Sequence, residues 1–574
     1  MWRFALDMCE LWLYNVSTMY VDTSTVHTST GKSYTRHLLR ESYREEGKVK
    51  HRTVANLSSC TPEEIEALSL ALGHKQDLST LVRLKDDLQL EQGLSVGAVW
   101  TVFAVARRLG IVDALGSTRA GKLALWQVMS RVIDQGSRLS AVRLAGSHAA
   151  CDVLNLTKFN EDDLYNNLDW LRENQERIED RLFEERKGKK RKQGEQQLFL
   201  YDVTSSYLEG TENELSAFGY NRDKKKGKRQ IVIGLLCDEA GIPLSIEVFK
   251  GNTKDPQTVG AQVTKVVERF GGGKVTFVGD RGMIKSDEIE ELNKAGFHYI
   301  TAITKPQVKK LLRTGVIQMA LFDQHLAEVE TAEGIRYVLR RNPIRALEVA
   351  QTRQEKLRAV EEKVDEQNQY LAEHTRAHVE VARRKVREKI EQLKLLGWLS
   401  EGVNGRVISL EKDRAALAEE AQLDGCYVLK TDLGKDVASK ETVHSRYKDL
   451  ARVEWTFRTS KTVSLEVRPV HVRTASHTRG HVFVVMLSYL IIAELARCWQ
   501  ELDITVNEGI SQLDTICATR LLVKGKVRCN QIPRPRPFLQ QLLEAAQVTL
   551  PEVFPSKGVT VTTKKKLTSR RKKP

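Results

Sequence analysis

The stretch from Gln196 to Thr304 constrains the fold of this chain most. QQLFLYDVTS is a strand, and RQIVIGLLCDEAGIPLSIEVFKGN is two more strands joined by the turn Asp238–Gly241. PQTVGAQVTKVVERF carries its apolar residues at three- and four-residue spacing, which predicts an amphipathic helix. KVTFVGD is again strand text, and a helix over 286–295 and the strand HYITAIT follow. Apolar, β-branched runs closed by Asp and Gly are strands by period and by punctuation. Three strands, a helix and a further strand require an α/β fold whose sheet has mixed pairing.

That order is the opening of a ribonuclease-H-like fold, and the rest of the chain divides around it. Residues 1–93 hold an N-terminal extension and a small β-rich region: from Met19 the text alternates, with Gly-Lys turns at Gly31 and Gly47. Met19 is a second candidate start. Residues 94–194 read as a helical DNA-binding region ending in the basic linker RKGKKRKQ, either with a helix-turn-helix or as a plain helical bundle. Residues 195–304 form the first part of the core. Residues 305–422 form a largely helical insertion, with a strand pair near EVETAEGIRYVLRRN and a helical hairpin marked by Leu357, Val360, Val364 and Leu371, then Val386, Ile390 and Leu393. Residues 423–500 return to the core through DGCYVLKTDL and the helix YKDLARVEWTFRTSK, and 501–574 form a helical region with a basic tail.

Composition narrows the partner. A hydrophobic fraction of 41% supports real cores, and a net charge of +15 points to a polyanion. The eight cysteines are scattered, with no Cys-x-x-Cys, so neither a zinc site nor a disulfide framework is expected. His471, His477 and His481 lack partner cysteines and read as DNA contacts or caps. The opening MWRFALDMCELWLY is broken by Asp7 and Glu10 and is a poor signal peptide. The run from Val482 is interrupted by Glu494 and is short for a bilayer, so it is expected to be a buried helix, with no membrane partner.

Three carboxylates carry the chemistry. Asp202 ends LFLYD, Asp280 ends VTFVGD, and those two strands are neighbours in such a sheet. Glu454 sits on the helix after the returning strand, where it closes the set. Singly, each has a structural reading: a strand-end turn for Asp202, a pair with Arg281 for Asp280, a one-turn bridge to Arg458 for Glu454. Together they suit a two-metal phosphoryl-transfer site, because hard Mg2+ ions take oxygen ligands and two of them can serve the attacking and leaving oxygens. Tyr447, Glu454 and Lys461 repeat every seven residues and share one helical face, drifting about 20° per heptad, and Arg458 joins that face. The loop RDKKKGKR adds Lys224, Lys225, Lys226 and Lys228, either a track for DNA backbone or a solvated loop.

YDVTS, VGDRGM and YKDLARVEWTFRTSK resemble the catalytic signatures of bacterial insertion-sequence DDE transposases, in the insertion-sequence-four group and most closely its 1634 branch. The resemblance extends to GKSYTRHLLRESYREEGKVKHRT, DGCYVLKTDL and RPVHVRTASHTRGHVFVVMLSYLI. The group carries Tyr-x2-Arg-x3-Glu-x6-Lys; Tyr447, Glu454 and Lys461 match it, while Leu450 stands at the arginine position. Arg452 lies about 200° around the helix from Leu450 and does not substitute for that arginine. The family's insertion is often β-rich, and the charged helices here depart from that. The resemblance implies that Asp202, Asp280 and Glu454 hold two Mg2+ ions, for which Mn2+ can substitute. It implies that Tyr447, Lys461, Arg458 and Arg281 contact phosphate. It implies double-stranded DNA partners, both element ends with terminal inverted repeats and target, and cleavage that frees a 3′-OH for strand transfer. A homodimer on the DNA ends and a cytoplasmic, nucleoid-associated location follow from the same analogy. The competing readings are a resolvase-like endonuclease of the same fold and an inactive, transposase-derived DNA-binding regulator.

Overall fold

The structure is a computed structural model that describes residues 19–27, 33–45, 48–75, 88–187, 197–220, 222–223, 225–270, 274–281, 283–461, 465, 470–523, 526–553, 558–559 and 561–564. The chain forms two compact units, Met1–Gly93 with Thr519–Gln531, and Leu94–Ala518 with Ile532–Pro574.

In the first unit, Met19–His27, Ser33–Glu45 and Lys48–Asn56 make an antiparallel sheet in chain order, as their alternation predicts. The Gly31 and Gly47 turns lie outside the described residues. The helix Pro62–Gly73 starts on a capping box, in which Thr61 and Glu64 satisfy each other's backbone N–H groups, with Pro62 in the first turn. Cys517–Val523 and Lys526–Gln531 pair as a hairpin in a sheet with Leu88–Ser95. The C-terminal region expected to be helical therefore contains two strands. Its text, ATRLLVKGKVRCNQ, is two β runs on either side of Lys-Gly.

The second unit is built on an eight-stranded mixed sheet. Its strands are β1 (Gln197–Tyr207), β2 (Gln230–Cys237), β3 (Pro243–Lys250), β4 (Val275–Gly279), β5 (His298–Ala302), β6 (Ala327–Glu330), β7 (Arg336–Arg341) and β8 (Cys426–Thr431). Their order across the sheet is β6-β7-β8-β5-β4-β1-β2-β3. β1 runs parallel to β4, and β4 to β5, while the remaining neighbours are antiparallel. Two strands from the segment expected to be an insertion, β6 and β7, thus extend the central sheet. Arg336 on β7 is fully buried, pairs with Glu328 on β6 and donates to the carbonyls of Leu433 and Ala438. A buried guanidinium is tolerated when a carboxylate neutralises it and carbonyls accept from it.

Period-two alternation sends the two faces of β1 into different cores. Phe199, Tyr201 and Val203 pack with Val259, Val263 and Val266 of helix α1 (Pro256–Glu268) and Leu292 of α2 (Ser286–Lys294). Leu198 and Leu200 face the opposite core with Val278, where Leu450, Val453 and Phe457 also lie.

Within the same segment, α3 (Pro343–Glu373) and α4 (Val379–Gln392) form a helical hairpin. It is closed by Val360, Val364, Leu371, Val386 and Ile390, with Leu357 and Leu393 packed against them and Trp398, Leu399 and Ile408 of a small hairpin beneath.

After β8 come α5 (Lys440–Lys448), α6 (Leu450–Lys461) and α7 (Ala475–Cys498). α7 is long and apolar enough to cross a bilayer by composition, yet Val482–Ile492 is buried inside this unit. It packs on the helices Arg119–Ile133 and Glu161–Glu173, and on β3. Gly480 permits that approach, since a Cβ there would stand 2.3 Å from the Leu168 carbonyl oxygen. Arg186, read as the start of a linker, ends a packed helix and donates to the Pro243 carbonyl oxygen at 3.1 Å. Residues 188–196 and 565–574, which hold the rest of that basic run and nearly all of the tail, lie outside the described residues.

Candidate active site

β1 and β4 place the first two carboxylates side by side. Tyr201 is in register with Gly279, so Asp202 and Asp280 follow at the same level of a parallel pair. The strand text QQLFLYDVTS reaches no further than Ser205, with Asp202 at the end of LFLYD. The strand instead continues to Tyr207, because β2 still pairs with it there, Asp202 opposite Leu235 and Tyr207 opposite Gln230. Asp202 marks the point where β4 leaves β1.

α6 packs across β1 and brings Glu454 to the same face, its neighbours Val453 and Phe457 buried in the core shared with Leu200 and Val278. Asp202 feels both partners. Burial, then Asp280 and Glu454, push its carboxyl up to about 7, against the Val203 N–H, which donates to Asp202 Oδ1 at 2.7 Å, and against Arg222. Among the described residues no three His, Cys, Asp or Glu side chains stand close enough together to hold a metal ion. The carboxylates converge without being drawn in. Their chemistry still fits a hard divalent cation: three carboxylates contribute oxygen atoms only, and one of them carries a raised pKa that a cation would relieve.

Tyr447 donates from Oη to Asp280 Oδ1 at 3.1 Å. Burial and that carboxylate raise the phenol's pKa, so it remains a donor. The stripe expected on one helix is split: α5 ends at Lys448, Asp449 intervenes, and α6 begins at Leu450. Lys461, expected to contact phosphate, sits 3.2 Å from Asp223 Oδ1, with both side chains largely buried. Asp223 in turn accepts from the Tyr207 N–H at 3.2 Å. Leu450 is 6% exposed and belongs to the core, although its edge reaches the groove. Arg452 donates to the Glu239 carbonyl oxygen at 2.9 Å, a turn remote from the motif position. Arg458 lies over the Trp455 ring at 5.8 Å.

Asp280, Tyr447, Leu450 and Glu454 line one groove, and its other walls carry Arg281, Lys305, Arg345 and Lys448. Three of these cations, Lys305, Arg345 and Lys448, were not singled out from the sequence. Two lie in the charged insertion and the third beside Tyr447, where cations are too common to stand out. In the lysine loop, Lys228 pairs with Glu209 at 2.7 Å, Lys225 lies over the Tyr207 ring at 6.0 Å and Lys226 is exposed; Lys224 lies outside the described residues. Of the histidines, His477 pairs with Asp169 at 3.0 Å and His481 contacts Arg138 at 3.0 Å in the core.

Two family models match the chain. One, described as transposase DDE domain, covers residues 193–491, just over half of the 574 residues. The other, described as IS1634 family transposase, N-terminal domain, covers residues 24–81. The chain belongs to the DDE transposases, of the IS1634 type. It is a DNA transposase that catalyses DNA cleavage and strand transfer, and the family's chemistry depends on a divalent metal. No curated protein matches it. Among solved structures, the cryo-EM structure of a piggyBac transposase synaptic complex with hairpin DNA is similar at 9% identity and a TM-score of 0.34, covering 68% of this chain and 69% of that one. A likeness of that size bears on neither fold nor site.

Proposed function

We propose that this transposase cleaves the ends of an insertion sequence with Asp202, Asp280 and Glu454 holding two Mg2+ ions, on a core of the ribonuclease-H-like type. The carrying observation is the juxtaposition of the two aspartates on parallel β1 and β4 beneath the Glu454 helix, together with the raised carboxyl of Asp202. The sheet order β5-β4-β1-β2-β3 supports the fold reading. When bound, divalent ions supply positive charge to the attacking and leaving oxygens of a phosphodiester. The chain's own residues prepare that site. Asp202 gives up its proton near neutral pH and becomes a full ligand. Tyr447 orients the Asp280 carboxylate by its hydroxyl hydrogen bond. Arg281, Lys305, Arg345 and Lys448 attract the backbone of an incoming strand into the groove. Water attacks the end phosphodiester and its 3′ oxygen leaves as a 3′-OH, which then attacks a second phosphate and displaces the 3′ oxygen of the strand that it breaks.

On this reading the helical region before β1 and the N-terminal sheet recognise terminal inverted repeats, two copies assemble on paired ends, and the protein works at the nucleoid. Lys461 acts through Asp223 on loop position, and Arg458 and the exposed lysines of the loop meet DNA backbone. The test is cleavage of an element-end duplex by Asp202→Asn, Asp280→Asn and Glu454→Gln. Each is expected to abolish cleavage with Mg2+ and to retain end binding. A variant cleaving at the wild-type rate would remove that residue from the site. Retained nicking without any strand transfer in the wild type would favour the endonuclease reading.

A further inference from the structure

The loop between β1 and β2 carries two large aromatic rings that the catalytic assignment does not use. Phe218 is 63% exposed and Tyr220 is 82% exposed. A soluble surface rarely presents neighbouring rings to water without a use for them. Each is backed by a guanidinium: Arg229 lies over the Phe218 ring at 5.5 Å, and Arg222 over the Tyr220 ring at 5.7 Å.

The backbone under the rings is held firmly. Ala217 exchanges both backbone hydrogen bonds with Gln230 at the start of β2. Gly219, between the rings, approaches Gly251 so closely that a Cβ would stand 2.2 Å from its carbonyl oxygen. Beyond the rings the loop is tied to both catalytic elements. The Arg222 N–H donates to Ser205 Oγ at 2.9 Å, on the strand of Asp202. Asp223 pairs with Lys461 on the helix of Glu454. The backbone of the rings is thus held on β2 and Gly251, and the residues that follow them are tied to β1 and α6, the elements that carry Asp202 and Glu454.

We propose that Phe218 and Tyr220 form a stacking platform for unpaired bases of the DNA strand engaged at the catalytic centre. The inference rests on the assignment of Asp202 and Glu454 to that centre. Its occupant follows from charge and shape. Arg222 and Arg229 stand over the rings, and Lys225 and Lys226 follow Arg222 in the same loop, cations that suit a phosphate backbone; exposed aromatic faces among cations are the general means of holding single-stranded nucleic acid. A paired duplex offers its bases edge-on and has no free face to stack.

The test uses the full chain in EDTA, with fluorescence anisotropy of a short oligothymidylate and of a random-sequence duplex. Phe218→Ala/Tyr220→Ala is expected to weaken oligothymidylate binding by about tenfold or more, as loss of base–aromatic stacking does, with much less effect on the duplex. Phe218→Trp/Tyr220→Trp should restore it. An oligonucleotide carrying 5-iododeoxyuridine should photocrosslink at these two positions in the unsubstituted chain. Equal losses on both probes, an unchanged oligothymidylate affinity, or crosslinks confined elsewhere would overturn the platform. So would a shift of the DNA-free Ala variant to a smaller assembly, which would assign the rings to a contact between copies. Binding in EDTA runs without cleavage, so failure of the Asp202 assignment would show only in the cleavage assay.

Discussion

Asp202 is an acid held away from its ordinary behaviour. Its usual value is 3.8, and burial with two facing carboxylates pushes it up to about 7. Between those values the folded chain holds more protons than the unfolded one, so this group's contribution to stability is complete below pH 3.8 and is lost as pH rises through about 7. Asp202→Asn removes the titration and keeps the shape. In EDTA at pH 8 it is expected to melt several degrees above the unsubstituted protein, with the gap narrowing at pH 5, as thermal unfolding at the two pH values will read. Equal midpoints at pH 8 would mean that the carboxylate is not strained. A divalent ion reverses the preference, so its binding near pH 6.5 should release a proton that Asp202→Asn does not release, measurable by calorimetry in two buffers. Tyr447→Phe tests the neighbouring carboxylate. It loses one hydrogen bond to a charged acceptor, in the range of about 1.5–3 kcal/mol, and should slow cleavage roughly ten- to a hundredfold while leaving the fold intact.

At the scale of elements, the break at Asp449 changes what the family-like spacing means. Tyr447 belongs to α5 and reaches Asp280, whereas Lys461 lies at the far end of α6, against Asp223. The spacing of seven carries two separate jobs. Lys461→Ala takes the cation from a buried aspartate, and breaking such a pair is costly, on the order of 3–5 kcal/mol. It should lower the unfolding midpoint, and Asp223→Asn added to it should recover part of the loss. A fully stable Lys461→Ala with a pure cleavage defect would instead make the lysine a direct phosphate contact. Leu450→Arg places a charge among Val453, Phe457 and the sheet, and it is expected to destabilise strongly by the same measurement.

For the whole molecule, the decisive element is α7. The helices of residues 94–187 bury their apolar faces partly on it, across more than 300 residues of sequence. Ser488 donates to the Val128 carbonyl oxygen at 3.0 Å and Asn213 to Thr478 Oγ1 at 2.7 Å. Residues 94–187 expressed alone should therefore expose a core and bind a hydrophobic dye, and co-expression with 470–553 should suppress that signal. Gly480→Ala is expected to destabilise the full chain by roughly 2–3 kcal/mol, because the new Cβ meets the backbone of Leu168, which has little freedom to yield. An unchanged denaturation midpoint would show that the two helices can part without cost.

Local periodicity determined a large share of this protein. Alternation and turn text placed β1 through β5, the β6–β7 pair and the helical hairpin, since strand and helix periods are properties of neighbouring residues. The three candidate carboxylates stood out for the same reason: each follows or sits in a strongly periodic segment. Only the tertiary structure decided where β1 ends, because β2 rather than the strand's own residues holds Val203–Tyr207 in the ladder. It also decided the partner of Lys461 and the burial of Leu450, which depend on a loop and a sheet far away in sequence. The position of β6 and β7 within the central sheet was likewise not readable, since a strand's text specifies its faces and leaves its neighbour open. Which helices share a core with α7 was settled in the same way, by close backbone approach at Gly480, a contact between residues that no local pattern relates.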